Sequence, residues 1–111
     1  MMTLKKIALK YFEDFSSKDI LSLKKVFAND IVLRDWEIEA RGINAVIKAN
    51  ENIFNNVVSI FVEPQNLYQE DNIVIGELKI IINESEILYV VDLIEFNKEN
   101  KIKRIYAYKG N

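Results

Sequence analysis

The 111-residue chain contains no histidine and no cysteine. A Ser-His or Cys-His nucleophile system, a thiolate or imidazole zinc site and disulfide chemistry are therefore outside its reach. Proton transfer, if it occurs, must run through Asp, Glu, Tyr or Lys. Three such residues stand where the spacing of their neighbours implies scarce water: Tyr11, Asp35 and Asp92. Asp92 shares one side of an alternating segment with Leu88, Val90, Ile94 and Phe96. Carrying an ionised carboxyl group into those surroundings costs several kcal/mol unless it is paired or protonated, which is large beside a total stability of roughly 5–15 kcal/mol. Tyr11 falls in the apolar stripe of the first helical segment, where its hydroxyl needs a partner. Asp35 closes a short run on the side of Ile31 and Leu33.

Each residue also has an ordinary structural reading. A tyrosine in a helix stripe is commonly core with its oxygen at the rim, and an aspartate after a short strand commonly serves a turn or cap. Asp92 admits pairing with Arg104 or Tyr106 across the last hairpin. Acid–base chemistry gains support only from all three occurring together.

The elements that must position them follow from periodicity. Leu4, Ile7, Ala8, Tyr11, Phe12 and Phe15 recur at helical spacing with Lys5, Lys6, Lys10, Glu13 and Asp14 opposite, an amphipathic helix. Ser16-Ser17-Lys18-Asp19 breaks it, and Ser16 with Asp19 predicts a cap for a second helix through Ile20, Leu23, Val26 and Phe27. Asn29-Asp30 reads as a turn before the strand-like run Ile31–Trp36. After Gly42, a third helix carries Ile43, Val46, Ile47, Phe54 and Val57, its stripe interrupted by Asn50. From Val57 the period becomes two, predicting strands at about 57–63, 73–82, 87–96 and 102–109 joined by polar turns at 69–72, 83–86 and 97–100. Pro64 suits a strand end or edge, and Gly76 inside a strand suggests a bulge or bend.

Helices segregated from strands indicate an α+β arrangement, one domain over residues 1–111. Half of the chain is apolar, enough for one core without disulfide or metal staples. A net charge of -2 offers no general attraction for nucleic acid or anionic lipid, and Lys101, Lys103, Arg104 and Lys109 read as a solvated strand edge. The longest uninterrupted apolar run, Ile87–Val91, is far below the roughly 18 residues of a membrane span. Lys5, Lys6 and Lys10 interrupt any signal-peptide core, so a soluble, cytoplasmic protein is expected. The second and third strands are apolar on both sides: Ile73, Ile75 and Ile81 oppose Val74, Leu78, Ile80 and Ile82, and Ile87, Tyr89, Val91 and Leu93 oppose Leu88, Val90, Ile94 and Phe96. One side covers the helices, and the other predicts a homodimer through the outer sheet face.

These residues resemble the nuclear transport factor 2-like superfamily, and within it the SnoaL-like and ketosteroid isomerase-like proteins. Lys10-Tyr11-Phe12, Ser17-Lys18-Asp19 and Val26–Val32 are similar to the opening helix pair and first strand of that superfamily. Arg34-Asp35-Trp36 with Gly42–Val46 resembles its acid-bearing strand and following helix, and Val91–Phe96 with Lys101–Ile105 its closing hairpin. The resemblance implies a cone-shaped, cystatin-like roll. Three N-terminal helices would pack on a strongly curved, mainly antiparallel sheet around a pocket, commonly in a dimer. It also implies roles: Asp35 as general base, and Tyr11 and Asp92 as oxyanion-hole tyrosine and carboxylic acid, with a separation of 24 positions from Tyr11 to Asp35 as in the family. In the steroid isomerases a carboxylic acid held neutral by an apolar site is an established device. Trp36 stands where those enzymes have proline. Trp36, Asn50, Phe54 and Phe15 are expected to line the pocket, with a small apolar molecule as ligand and no cofactor or metal. Three functions stand open on these grounds: a cofactor-independent enzyme moving a proton α to a carbonyl, a non-catalytic small-ligand binder, or an interaction module whose cavity is filled by side chains.

Overall fold

The computed structural model describes residues 2–110. Thr3 opens helix α1 (Leu4–Ser16) by accepting from the Lys6 N–H at 3.2 Å, and the predicted stripe turns Ala8, Tyr11 and Phe12 inward. Lys18, in the left-handed region at φ 56°, reverses the chain. That reversal places Asp19, not Ser16, immediately before α2 (Ile20–Val26), and the Asp19 carboxylate accepts from both the N–H and the hydroxyl of Ser22. The expected Ser16 cap is thus corrected. Ser16 ends α1, donates to the Phe12 carbonyl at 2.8 Å and accepts from the Val62 N–H at 2.9 Å, which ties the helix to the sheet.

Phe27, expected in the second helix, instead begins strand β1 (Phe27–Arg34), so Asn29-Asp30 lies within a strand and is not the turn its composition suggests. Both residues are exposed, and the pairing of β1 with the last strand slips between Phe27 and Val32, so the polar pair marks an irregularity and not a start. A short strand that the periodicity does not announce, β2 (Glu39–Arg41), returns antiparallel to β1. Gly42 at φ 88° then donates its N–H to the Ile31 carbonyl and opens α3 (Ile43–Asn55), which stops short of Val57. The Lys18 ammonium donates to the Phe54, Val57 and Val58 carbonyls at 2.8–3.2 Å. A cation there satisfies carbonyls the helix leaves open and complements its dipole.

Strands β3 (Ile60–Glu70), β4 (Ile73–Ile82), β5 (Glu86–Phe96) and β6 (Ile102–Lys109) form the expected antiparallel meander. The strand order is β2-β1-β6-β5-β4-β3, with β1 and β6 parallel. β3 is longer than its apolar run because it pairs with the whole of β4, and its polar second half lies exposed on the sheet edge. Asp71, Asn83, Glu84 and Asn100 supply the positive φ angles of the three turns. Pro64 sits on the edge strand where the register slips between Pro64 and Asn66, so its missing N–H disturbs no inner ladder. Gly76 shows no slip toward β5. A Cβ there would stand 3.2 Å from Phe12 Cζ, so the residue permits close approach of α1, and the bulge falls on the neighbouring strand.

The helices cover one face of the sheet, giving the α+β cone expected from the sequence. At one end of that face Val74, Ile94, Phe96 and Ile102 are sealed against Leu23 and Ile31, all fully buried. At the other end the helices stand off and leave a cavity. No described helix is long and apolar enough to cross a membrane.

Candidate functional site

The cavity measures about 310 Å³ and is walled by α1, α3, the end of β1 and the inner sides of β3–β6. Its surface is mostly aliphatic, with Leu33, Val62, Leu78, Ile80, Leu88 and Val90 among the lining side chains. Side chains leave this space open.

Tyr11, Asp35 and Asp92, predicted from three separate segments, all line this one cavity. Tyr11 is brought there by the inward stripe of α1 and held by rings on three sides, with centroids of Phe12, Phe15 and Phe27 at 5.5, 6.1 and 6.0 Å. Burial, and then the Asp92 carboxylate, push its hydroxyl well above the usual phenol range. Asp92 occupies an inward position of β5 directly opposite Gly76 and Ala107, neither of which offers it a polar side chain. Burial first, and the nearby Asp35 charge second, raise its pKa from 3.8 to about 7. No hydrogen bond contributes to either shift. Arg104 and Tyr106, the partners a structural network would have used, do not take that part: Arg104 donates to Glu95 at 2.7 Å and stacks on Tyr106.

Asp35 lies just past β1, half-buried at the cavity mouth. Its Oδ1 accepts from the Glu37 and Ile38 N–H groups at 2.7 and 2.6 Å, and its own N–H donates to the Ile38 carbonyl at 2.9 Å. The carboxyl group therefore serves the turn and also lines the cavity. Because both bonds fall on Oδ1, the turn fixes the carboxyl group while leaving Oδ2 uncommitted. The mouth is completed by Trp36, 41% exposed, with the Lys109 ammonium 5.6 Å from its ring centroid, and by Glu37 and Glu86.

Of the expected lining residues, Trp36, Asn50 and Phe15 are in the wall. Phe54 is not. It packs edge-on behind Phe15 with centroids 4.8 Å apart, because α3 turns it toward the helices. The expectations omitted Ile53, Glu86 and Lys109. Strand parity could have found two of them, since Glu86 shares the inner side of β5 with Leu88, Val90 and Asp92, and Lys109 that of β6 with Ile105 and Ala107. Among the described residues no group of three or more acidic side chains is placed to hold a metal ion.

An oriented carboxylate, a buried phenol and a buried, readily protonated acid line one largely apolar cavity on a conical α+β roll. This is the nuclear transport factor 2-like fold, shared with solved structures of NTF2-like and SnoaL-like proteins. No family model and no curated protein sequence matches the chain. Its likeness is one of structure. An NTF2-like protein of unknown function from Cytophaga hutchinsonii is 14% identical at a TM-score of 0.84, over 99% of this chain and 92% of that one. A protein proposed as an isomerase of the SnoaL-like family from Agrobacterium tumefaciens is 13% identical at 0.85, over 99% and 100%. A protein assigned as a ketosteroid isomerase from Kribbella flavida is 14% identical at 0.83, over 97% and 78%.

Proposed function

We propose that the cavity takes up a small, largely apolar ketone and moves a proton at the carbon next to its carbonyl, in the cytoplasm and without a cofactor. The observation that carries this reading is the convergence of Asp35, Tyr11 and Asp92 on one apolar space, with Asp92 pushed to about 7 and therefore able to donate near neutral pH. Asp35 removes the α-proton; the C–H electron pair becomes the C=C bond of an enolate, and the carbonyl π pair moves onto oxygen. Tyr11 and protonated Asp92 donate hydrogen bonds to that oxygen. Asp35 then returns the proton to carbon, at the same or a conjugated position, and the carbonyl re-forms.

The test is exchange of the α-protons of 2-tetralone in D₂O, followed by NMR. Asp35→Asn is expected to slow protein-dependent exchange by about 10²–10⁴-fold while circular dichroism stays unchanged. Equal exchange in the variant removes the mechanism. Binding of the ketone without any acceleration selects the non-catalytic ligand-binding reading.

The outer sheet face leaves Phe61, Tyr68, Ile87, Tyr89 and Tyr108 about half exposed, which fits a homodimer formed across it. Sedimentation is expected to give a dimer; a stable monomer at micromolar concentration would count against it.

A further inference from the structure

Asn50 is a buried polar side chain to which the proton transfer gives no part. It sits on the inward side of α3, 3% exposed, in the cavity wall beside Ile53. Its Nδ2 is buried and has no hydrogen-bond partner among the described residues. The other buried residues of α3, Val46, Ile47 and Phe54, are apolar, so position 50 is the exception on its helix. An unpaired buried amide lowers stability, and a leucine of similar size would occupy the same place without that penalty. Nothing in the packing of the fold asks for an amide there.

The cavity gives it a purpose. Tyr11, Asp35 and Asp92 reach the space from α1, the end of β1 and β5, whereas Asn50 reaches it from α3. A ligand whose carbonyl engages the first set leaves another part of itself to face the third helix. We propose that Asn50 is a specificity-determining residue that hydrogen-bonds a second polar group of the ligand, a hydroxyl remote from the enolising carbonyl, so that the site selects hydroxy ketones over plain apolar ketones. A carboxamide turned by 180° about χ2 exchanges its donor and acceptor, and a hydroxyl can accept from one end or donate to the other. Discrimination follows from the asymmetry of burial. A hydroxyl that pairs with the amide relieves a penalty the free protein already carries, whereas a ligand lacking it leaves that penalty in place.

This rests on reading the cavity as the ligand site proposed above, but not on turnover. Calorimetric titration of the full chain with 2-tetralone and with its 6- and 7-hydroxy derivatives tests it. At least one hydroxy ketone is expected to bind about 10-fold or more tighter than 2-tetralone, and Asn50→Leu to reduce that preference below about two-fold. The Tm of Asn50→Leu is expected to equal or exceed that of the wild type, which a structural amide would not allow. In wild-type protein labelled with ¹⁵N, the Asn50 side-chain amide protons are expected to move downfield with the hydroxy ketone and not with 2-tetralone, a readout that needs no variant. Equal affinities in the wild type, a preference that survives Asn50→Leu, or a lowered Tm in that variant would each overturn the assignment. The proton-transfer reading fails separately. If ketones bind with the hydroxyl preference but exchange no faster than in buffer, Asn50 stands and the catalytic role of Asp35 falls. If no ketone binds the wild type, both fall.

Discussion

The inner face of β5 runs through two different environments within one strand. Ile94 and Phe96 are fully buried; Ile94 pairs with Val74 and Phe96 with Ile102, and all four share one buried core with Ile31. Asp92, Val90 and Leu88, the next inward positions along the same strand, meet the cavity instead. The sequence alternation is unbroken across this border; only what lies above the strand differs. Over the sealed end α2 delivers Leu23, whereas over the hollow end Tyr11, Phe12 and Asn50 line the cavity. Inward-pointing apolar residues therefore announce which side of a sheet faces the interior and leave open whether that interior is filled. The polar exceptions mark the difference, since all of them fall on the hollow half.

The largest test of this contrast is a matched pair of truncations on β5. Phe96→Ala removes a ring surrounded on every side and is expected to cost about 3–5 kcal/mol in urea unfolding. Leu88→Ala enlarges a space that already exists and is expected to cost about 1 kcal/mol, because few partner atoms are lost. Comparable costs at the two positions would mean that the hollow half closes up in solution.

The same contrast explains what could be read from the chain before its structure. α1, α3, β4 and β5 are legible because their apolar periods are long and each decides a buried face. Tyr11, Asn50 and Asp92 are legible as exceptions to those periods. β2 is not, because three residues with only Ala40 buried carry no period at all. The start of β1 is hidden by Asn29-Asp30, which fall in the irregularity between Phe27 and Val32, while those two flanking residues pair with β6, a strand more than seventy residues later. The capping of α2 depends on the left-handed conformation of Lys18, which nothing in its residue type demands. Phe54 has the right spacing for the pocket, yet the interhelical packing with Phe15 claims it. Asp35 shows a different limit: residue type and position could not separate a turn from a site because the carboxyl group serves the turn through one oxygen and lies at the mouth with the other free.

A smaller effect, but one that only the hollow half should show, is dependence on pH. Asp92 is pushed up to about 7 in the folded protein from the ordinary 3.8 of the unfolded chain, with burial the main cause and the Asp35 charge the second. Well below pH 3.8 both states hold the proton and folding is insensitive to it. As pH rises from about 4 to about 7 the unfolded chain releases the proton while the folded chain keeps it, so the wild type loses stability across this window and levels off above it. At about 1.4 kcal/mol per pH unit, the loss between pH 5 and pH 8 is about 2–3 kcal/mol. Asp92→Asn removes that titration and leaves every other one common to both proteins. Its stability relative to the wild type is therefore expected to rise by about 2–3 kcal/mol from pH 5 to pH 8 in urea unfolding, while the cost of Phe96→Ala stays flat over the same range. A flat difference for Asp92→Asn would show that the carboxyl group is ionised and hydrated in the folded state. The cavity would then be wet at its inner wall, and Asp92 could not donate to an enolate oxygen at neutral pH.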